Sequence, residues 1–157
     1  MEHTHRRAQR KSLRLKNFDY STAGAYFVTV CCFERKQILG KMIGDQMVAS
    51  SMGDLVLTSI EDFSTHYPTV DFETFQLMPD HFHAIIFLMG NDIPLTEVIQ
   101  RFKSYTTMLY RKRTGEYKLW QRGYYEHVIR NDKDLSRVRE YIFNNPLQWY
   151  FDNVYRL

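Results

Sequence analysis

The chain reads as an α+β protein, a ferredoxin-like sandwich whose antiparallel sheet carries two helices on one face and leaves a C-terminal helix to lie across the other. Three observations lead there. The elements follow in the order β-α-β-β-α-β-α, the strand runs are short, β-branched and aromatic, and the helical runs repeat apolar residues at helical spacing between Pro and Gly stops.

The first strand is Tyr26-Phe27-Val28-Thr29-Val30-Cys31-Cys32-Phe33, bounded by Gly24 and by the charged turn Glu34-Arg35-Lys36. Gly40, Gly44 and Asp45 mark a turn or short hairpin. Ser51 or a neighbour caps a helix running to about His66, with Leu55, Ile60 and Phe63 among its core positions, and Pro68 stops it. Val70 to Met78 and His81 to Met89 form an antiparallel pair split by Pro79-Asp80, the second being a buried central strand through Ala84-Ile85-Ile86-Phe87-Leu88. Pro94 opens the next helix, with Val98, Phe102, Tyr105 and Leu109 at helical spacing, and Gly115 ends it. A last strand covers about Tyr124 to Ile129, and a helix from about Lys133 to Asn145 is stopped by Pro146.

At 157 residues the chain is read as one domain spanning 1–157, able to bury about 70% of the surface its unfolded form exposes. A basic arm occupies about 1–16. Adjacent Cys31 and Cys32 suit neither a metal knuckle nor a disulfide framework, so reduced thiols are expected. No apolar run approaches the roughly 20 residues that span a bilayer, and no signal-peptide core follows the basic N-terminus. A soluble cytoplasmic protein with no membrane partner is the expectation.

The net charge is only +3, yet residues 42–100 contain nine acidic side chains and no Lys or Arg, so the flanks hold all 21 basic residues. That asymmetry suits a polyanion such as nucleic acid. Aromatic residues make up 15% of the chain, enough to leave ring faces for bases to stack on. The candidate phosphate contacts are Arg6, Arg7, Arg10, Lys11 and Arg14 in the arm, with Lys103, Arg111, Lys112 and Arg113 on the second helix.

His81-Phe82-His83 carries the chemistry. Alternate strand residues share a face, so two imidazoles point one way and Phe82 the other, into the apolar body. Neutral imidazoles on an otherwise apolar strand need partners for their ring nitrogens, and one divalent ion satisfies both. On the final helix Tyr141 and Asn145 lie one turn apart, at the edge of the stripe Leu135, Val138 and Ile142. Packing of that helix over the His-bearing strand would add an amide oxygen to the metal shell and a hydroxyl nucleophile beside it. Since phenols ionise only around pH 10, such a nucleophile needs a Lewis acid at the phosphate it attacks.

Met78-Pro79-Asp80-His81-Phe82-His83, Trp120-Gln121, Tyr124-Tyr125-Glu126-His127-Val128-Ile129-Arg130 and Tyr141-Ile142-Phe143-Asn144-Asn145-Pro146 resemble the signature blocks of the REP-associated tyrosine transposases, within the single-tyrosine HUH (insertion sequence 200-like) family. The likeness runs from Leu13-Arg14-Leu15 through Tyr26-Phe27-Val28-Thr29 to Trp149. It implies that His81, His83 and Asn145 bind Mg²⁺ or Mn²⁺ and that Tyr141 is the nucleophile. It also implies a covalent 5′-phosphotyrosine, a released 3′-hydroxyl, and a single-stranded DNA substrate folded into a palindromic hairpin. His127 is an accessory candidate, and the resemblance leaves room for a homodimer. Asp80 departs from the family block, which more commonly has Asn.

Two other readings compete. A non-catalytic single-stranded nucleic-acid-binding module of the same fold would need no metal, but the glycine-aromatic pattern of the RNA-recognition motif is missing. A small metallohydrolase needs a third His or a carboxylate in register, and Asp80 points away from the pair if the strand is regular.

Overall fold

The computed structural model describes residues 24–154, with side chains to Asp152; the basic arm lies outside this range. Strand β1 (Gly24–Cys31) leads through a 3-10 turn (Phe33–Arg35) to the hairpin β2 (Gly40–Ile43) and β3 (Gln46–Ala49), then to α1 (Ser51–His66). Next come β4 (Val70–Met78), β5 (His81–Leu88), α2 (Leu95–Thr114), β6 (Tyr125–Val128) and α3 (Asp132–Val154). The main sheet has the order β4-β5-β1-β6 with every neighbour antiparallel, as a ferredoxin-like sandwich requires.

The strand period of two sorts the sheet into two cores. Phe82, Ala84, Ile86 and Leu88 of β5 join Val28 and Val30 of β1 and Phe72, Phe75 and Leu77 of β4 in a core shared with α1 and α2. The alternate residues Ile85 and Phe87, with Ala25 and Phe27, meet Leu135, Val138 and Ile142 of α3 on the other face. Covered on both sides, β4 and β5 are buried along their whole length, which explains their near-continuous apolar reading.

Local chemistry sets the ends. Ser50 rather than Ser51 caps α1, its Oγ accepting from the Gly53 N–H at 3.0 Å. Gly115 closes α2 in the left-handed region at φ 78°. Tyr105 is 46% exposed and not a core residue. Instead α2 buries Val98, Ile99, Phe102, Thr106 and Tyr110, and the polar Thr106 is satisfied by bonding its own helix and accepting from Trp120 Nε1 at 2.8 Å. β1 stops two residues earlier than its apolar run, because the chain turns at Glu34 and Arg35, both at positive φ.

Pro146 does not end the last helix. It lies within α3, buried, and the helix runs on to Val154. A proline removes one backbone donor and disfavours continuation, but here the next turn has a surface to pack on. Trp149 lies against His81 with ring centroids 6.0 Å apart. On the same face, toward the β4 edge of the sheet, an ion pair from Arg139 to the buried Glu73 ties α3 to β4 beside the register shift between Phe72 and Thr74.

Candidate active site

β1 and β5 pair with Thr29 opposite His83 and Cys31 opposite His81. These residues fall on the α3 side of the sheet, so the imidazoles enter the layer beneath that helix. Both are nearly closed to solvent, His81 at 6% and His83 at 4% exposure. Their Nε2 atoms converge to 3.2 Å. Each Nδ1 is engaged on the far side of its ring: His83 with Thr29 Oγ1 at 2.8 Å, His81 with Asp80 Oδ1 at 2.6 Å.

Burial, reinforced by His81, pushes the His83 pKa down to about 3, so this ring is held neutral. Burial pushes Asp80 upward, but the hydrogen bonds and charges of His81 and Arg35 outweigh it and leave the carboxyl below its usual range. Arg35 Nε donates to Asp80 Oδ2 at 3.0 Å. Asp80 therefore does not point away, as strand alternation suggested. It sits in the turn before β5, where alternation does not apply, and its side chain folds back onto the neighbouring ring.

α3 brings the remaining predicted groups to the same place. Tyr141 is 54% exposed, and its ring stands edge-to-face on His83, centroids 5.6 Å apart, and on Phe27 at 5.9 Å. The Asn145 carboxamide is close enough to His83 to favour its protonated form, yet Oδ1 is buried without a hydrogen-bond partner. Thus His81, His83, Tyr141 and Asn145 meet within one chain. They line an open cleft of about 710 Å³ together with Thr29, Arg35, Tyr125, Arg137, Gln148 and Trp149.

These groups fit a divalent cation. The spacing of the Nε2 atoms is well inside twice the ~2.1 Å of a metal–imidazole bond, and the orphaned Asn145 oxygen is a hard donor in need of a partner. Among the described residues no cluster of three or more His, Cys, Asp or Glu could hold an ion, so a site here depends on the asparagine.

His127 lines the cleft from β6 and its Nε2 lies 2.9 Å from Asp134 Oδ2. The α2 candidates are placed elsewhere, since α2 packs on the opposite face of the sheet. Lys103 Nζ donates to the carbonyls of Gln121 and Gly123, at 2.8 and 2.5 Å, tying α2 to the loop before β6. Arg111 stacks over Tyr117 at 4.5 Å, while Lys112 and Arg113 are exposed. Arg6, Arg7, Arg10, Lys11 and Arg14 lie outside the described residues. Both cysteines are free, and burial pushes the Cys32 thiol up to about 12. No helix among the described residues is long and apolar enough to cross a membrane.

Sequence reasoning missed Thr29, Arg35, Arg137 and Trp149. Alternation along β1 puts Thr29 on the His-facing side once the β1–β5 register is known. Nothing local announces Arg35, whose reach depends on the left-handed turn.

An antiparallel ferredoxin-like sheet with paired strand histidines under a tyrosine-bearing helix is the class of fold and site that this chain presents. Residues 21–145 match the family model described as IS200-like transposase, and the chain belongs to that family. A Haemophilus influenzae protein named as a REP-associated tyrosine transposase is 30% identical over 83% of this chain and 74% of its own length. An uncharacterized protein of the same organism is 32% identical over 93% of both chains. Among solved structures, a REP-associated tyrosine transposase bound to a REP hairpin superposes with a TM-score of 0.64 at 25% identity, covering 80% of this chain and 67% of that one. A transposase-like chain from Deinococcus radiodurans shares the fold at TM-score 0.55 and 14% identity, over 76% of this chain and 88% of its own. The resemblance to REP-associated tyrosine transposases therefore holds in fold and in sequence.

Proposed function

We propose that this transposase nicks and rejoins single-stranded DNA at palindromic hairpin repeats through a covalent 5′-phosphotyrosine on Tyr141, with His81, His83 and Asn145 holding Mg²⁺ or Mn²⁺. The observation that carries the reading is the edge-to-face contact of the exposed Tyr141 ring with His83, whose Nε2 faces that of His81 at 3.2 Å. A relative bound to a REP hairpin supports the hairpin as substrate.

When bound, the metal supplies Lewis-acid charge at the non-bridging phosphate oxygens. The chain supplies the rest. Tyr141 Oη attacks phosphorus in line, the bond from phosphorus to the 3′ oxygen breaks, and the phosphate stays on tyrosine through the 5′ end. The phenolic proton passes to solvent and the departing 3′ oxygen takes one up. Attack by another 3′-hydroxyl reverses the step and joins strands without an external energy source. Phe27 and His83 hold the Tyr141 ring at the cleft, where Tyr125 and Trp149 offer faces to unpaired bases. His127, fixed by Asp134, is an accessory at the cleft wall. The basic arm and the exposed Arg111, Lys112 and Arg113 would contact phosphates of the hairpin outside the cleft, and the reaction belongs in the cytoplasm with the cell's DNA.

The test is an adduct. A single-stranded oligonucleotide carrying a REP-like hairpin, incubated with the full chain and Mn²⁺, is expected to give a protein–DNA band that survives denaturation. EDTA or Tyr141→Phe removes it. An equal band from Tyr141→Phe would refute the nucleophile, and equal cleavage in EDTA would refute the metal.

A further inference from the structure

The geometry points to Asp80, braced by Arg35, as a positioning residue that sets how tightly His81 holds the metal; this rests on the metal centre proposed above. Asp80 is buried, and each of its oxygens already has a partner. Oδ1 lies 2.6 Å from His81 Nδ1, and Oδ2 accepts from Arg35 Nε at 3.0 Å. A carboxylate committed in this way acts on the ion through the ring rather than as a ligand.

The brace is itself fixed. Arg35 occupies the left-handed region at φ 55°, and Nη1 donates to Cys31 Sγ at 2.9 Å, so the guanidinium is held at two points. Cys31 is the cross-strand partner of His81. The run Cys31–Arg35–Asp80–His81 therefore closes on itself around the end of β5.

Donation from Nδ1–H to a carboxylate turns the other ring nitrogen toward the site and raises its donor strength. His83 has only the neutral Thr29 hydroxyl at the equivalent position, 2.8 Å away. The two imidazoles are consequently unequal. His81, backed by an anion, is the stronger anchor, and His83 the weaker.

Mn²⁺ binding to the full chain without DNA, followed by the electron paramagnetic resonance signal of free Mn²⁺, separates the roles. Asp80→Ala is expected to weaken binding about 10- to 100-fold. Asp80→Asn, isosteric and still able to accept from Nδ1–H, should lose less, and Thr29→Val should lose less than Asp80→Ala. Melting curves in EDTA identify the folded variants; should Asp80→Ala fail to fold, Asp80→Asn decides, with a loss of several-fold expected. A purely structural Asp80 would lower the melting temperature in EDTA and leave Mn²⁺ affinity of the folded protein intact. Affinities of both Asp80 variants within twofold of wild type, with binding abolished by His81→Ala, would overturn this inference alone. Wild-type affinity in His81→Ala would instead remove the metal centre on which it rests.

Discussion

On β5 the residues facing α1 and α2 are Phe82, Ala84, Ile86 and Leu88, all apolar, whereas the face toward α3 begins with His81 and His83 and turns apolar only at Ile85 and Phe87. The same strand thus belongs to a dry core on one side and to a polar cleft on the other. The polar side holds the buried Asp80, Glu73 and both histidines with the half-buried Thr29, bonded to one another or to arginines on the turn and on α3. The difference teaches where rigidity comes from. The apolar face fixes the backbone of β5 by packing, and that fixed backbone lets two imidazoles face each other at a distance they would not keep on a mobile loop.

Five variants test this division, beginning with the largest effect. Tyr141→Phe should abolish adduct formation by at least about a thousandfold, while its melting temperature stays near wild type because an exposed hydroxyl contributes little to stability; a large loss of stability would show that α3 depends on the phenol. Phe82→Ala, one residue from each histidine but on the other face, should cost about 3–5 kcal/mol in denaturant unfolding. His83→Ala, by contrast, should lose Mn²⁺ binding with a smaller stability change, and the reverse ranking would dissolve the contrast between faces. Arg139→Ala leaves the buried Glu73 carboxylate without its counter-charge, held only by the Thr74 hydroxyl, and should cost about 3 kcal/mol. It should also slow adduct formation, since the pair ties the helix of Tyr141 to the sheet.

The smallest effect is one of acidity. The unfolded chain protonates His83 near pH 6.5, while the folded chain refuses that proton until about pH 3. Stability from this group is complete above pH 6.5 and is lost as pH falls toward 3, with a slope on the order of 1 kcal/mol per pH unit well inside that window. Melting curves in EDTA between pH 4 and 7 should therefore be shallower in pH for His83→Gln than for wild type. Parallel curves would show that the ring is not held neutral.

Much of this was legible from local pattern. The alternation at His81-Phe82-His83 places the imidazoles together without knowledge of the fold, and the four-residue spacing of Tyr141 and Asn145 puts both on one edge of a helix. The features that escaped depend on tertiary contacts. Pro146 reads as a stop because proline opposes helix continuation, and only the packing of Trp149 on His81 explains why the helix goes on. Asp80 defeats strand alternation because it belongs to the turn, and Tyr105 keeps helical spacing yet faces solvent. The basic residues of α2 carry charge suited to DNA, but a run of charge does not reveal which face of a sheet its helix will cover.

One chain furnishes both histidines, the asparagine and the tyrosine. Under the function proposed above, a cleft furnished by one chain predicts a nicking rate that rises in simple proportion to protein concentration and is indifferent to dilution.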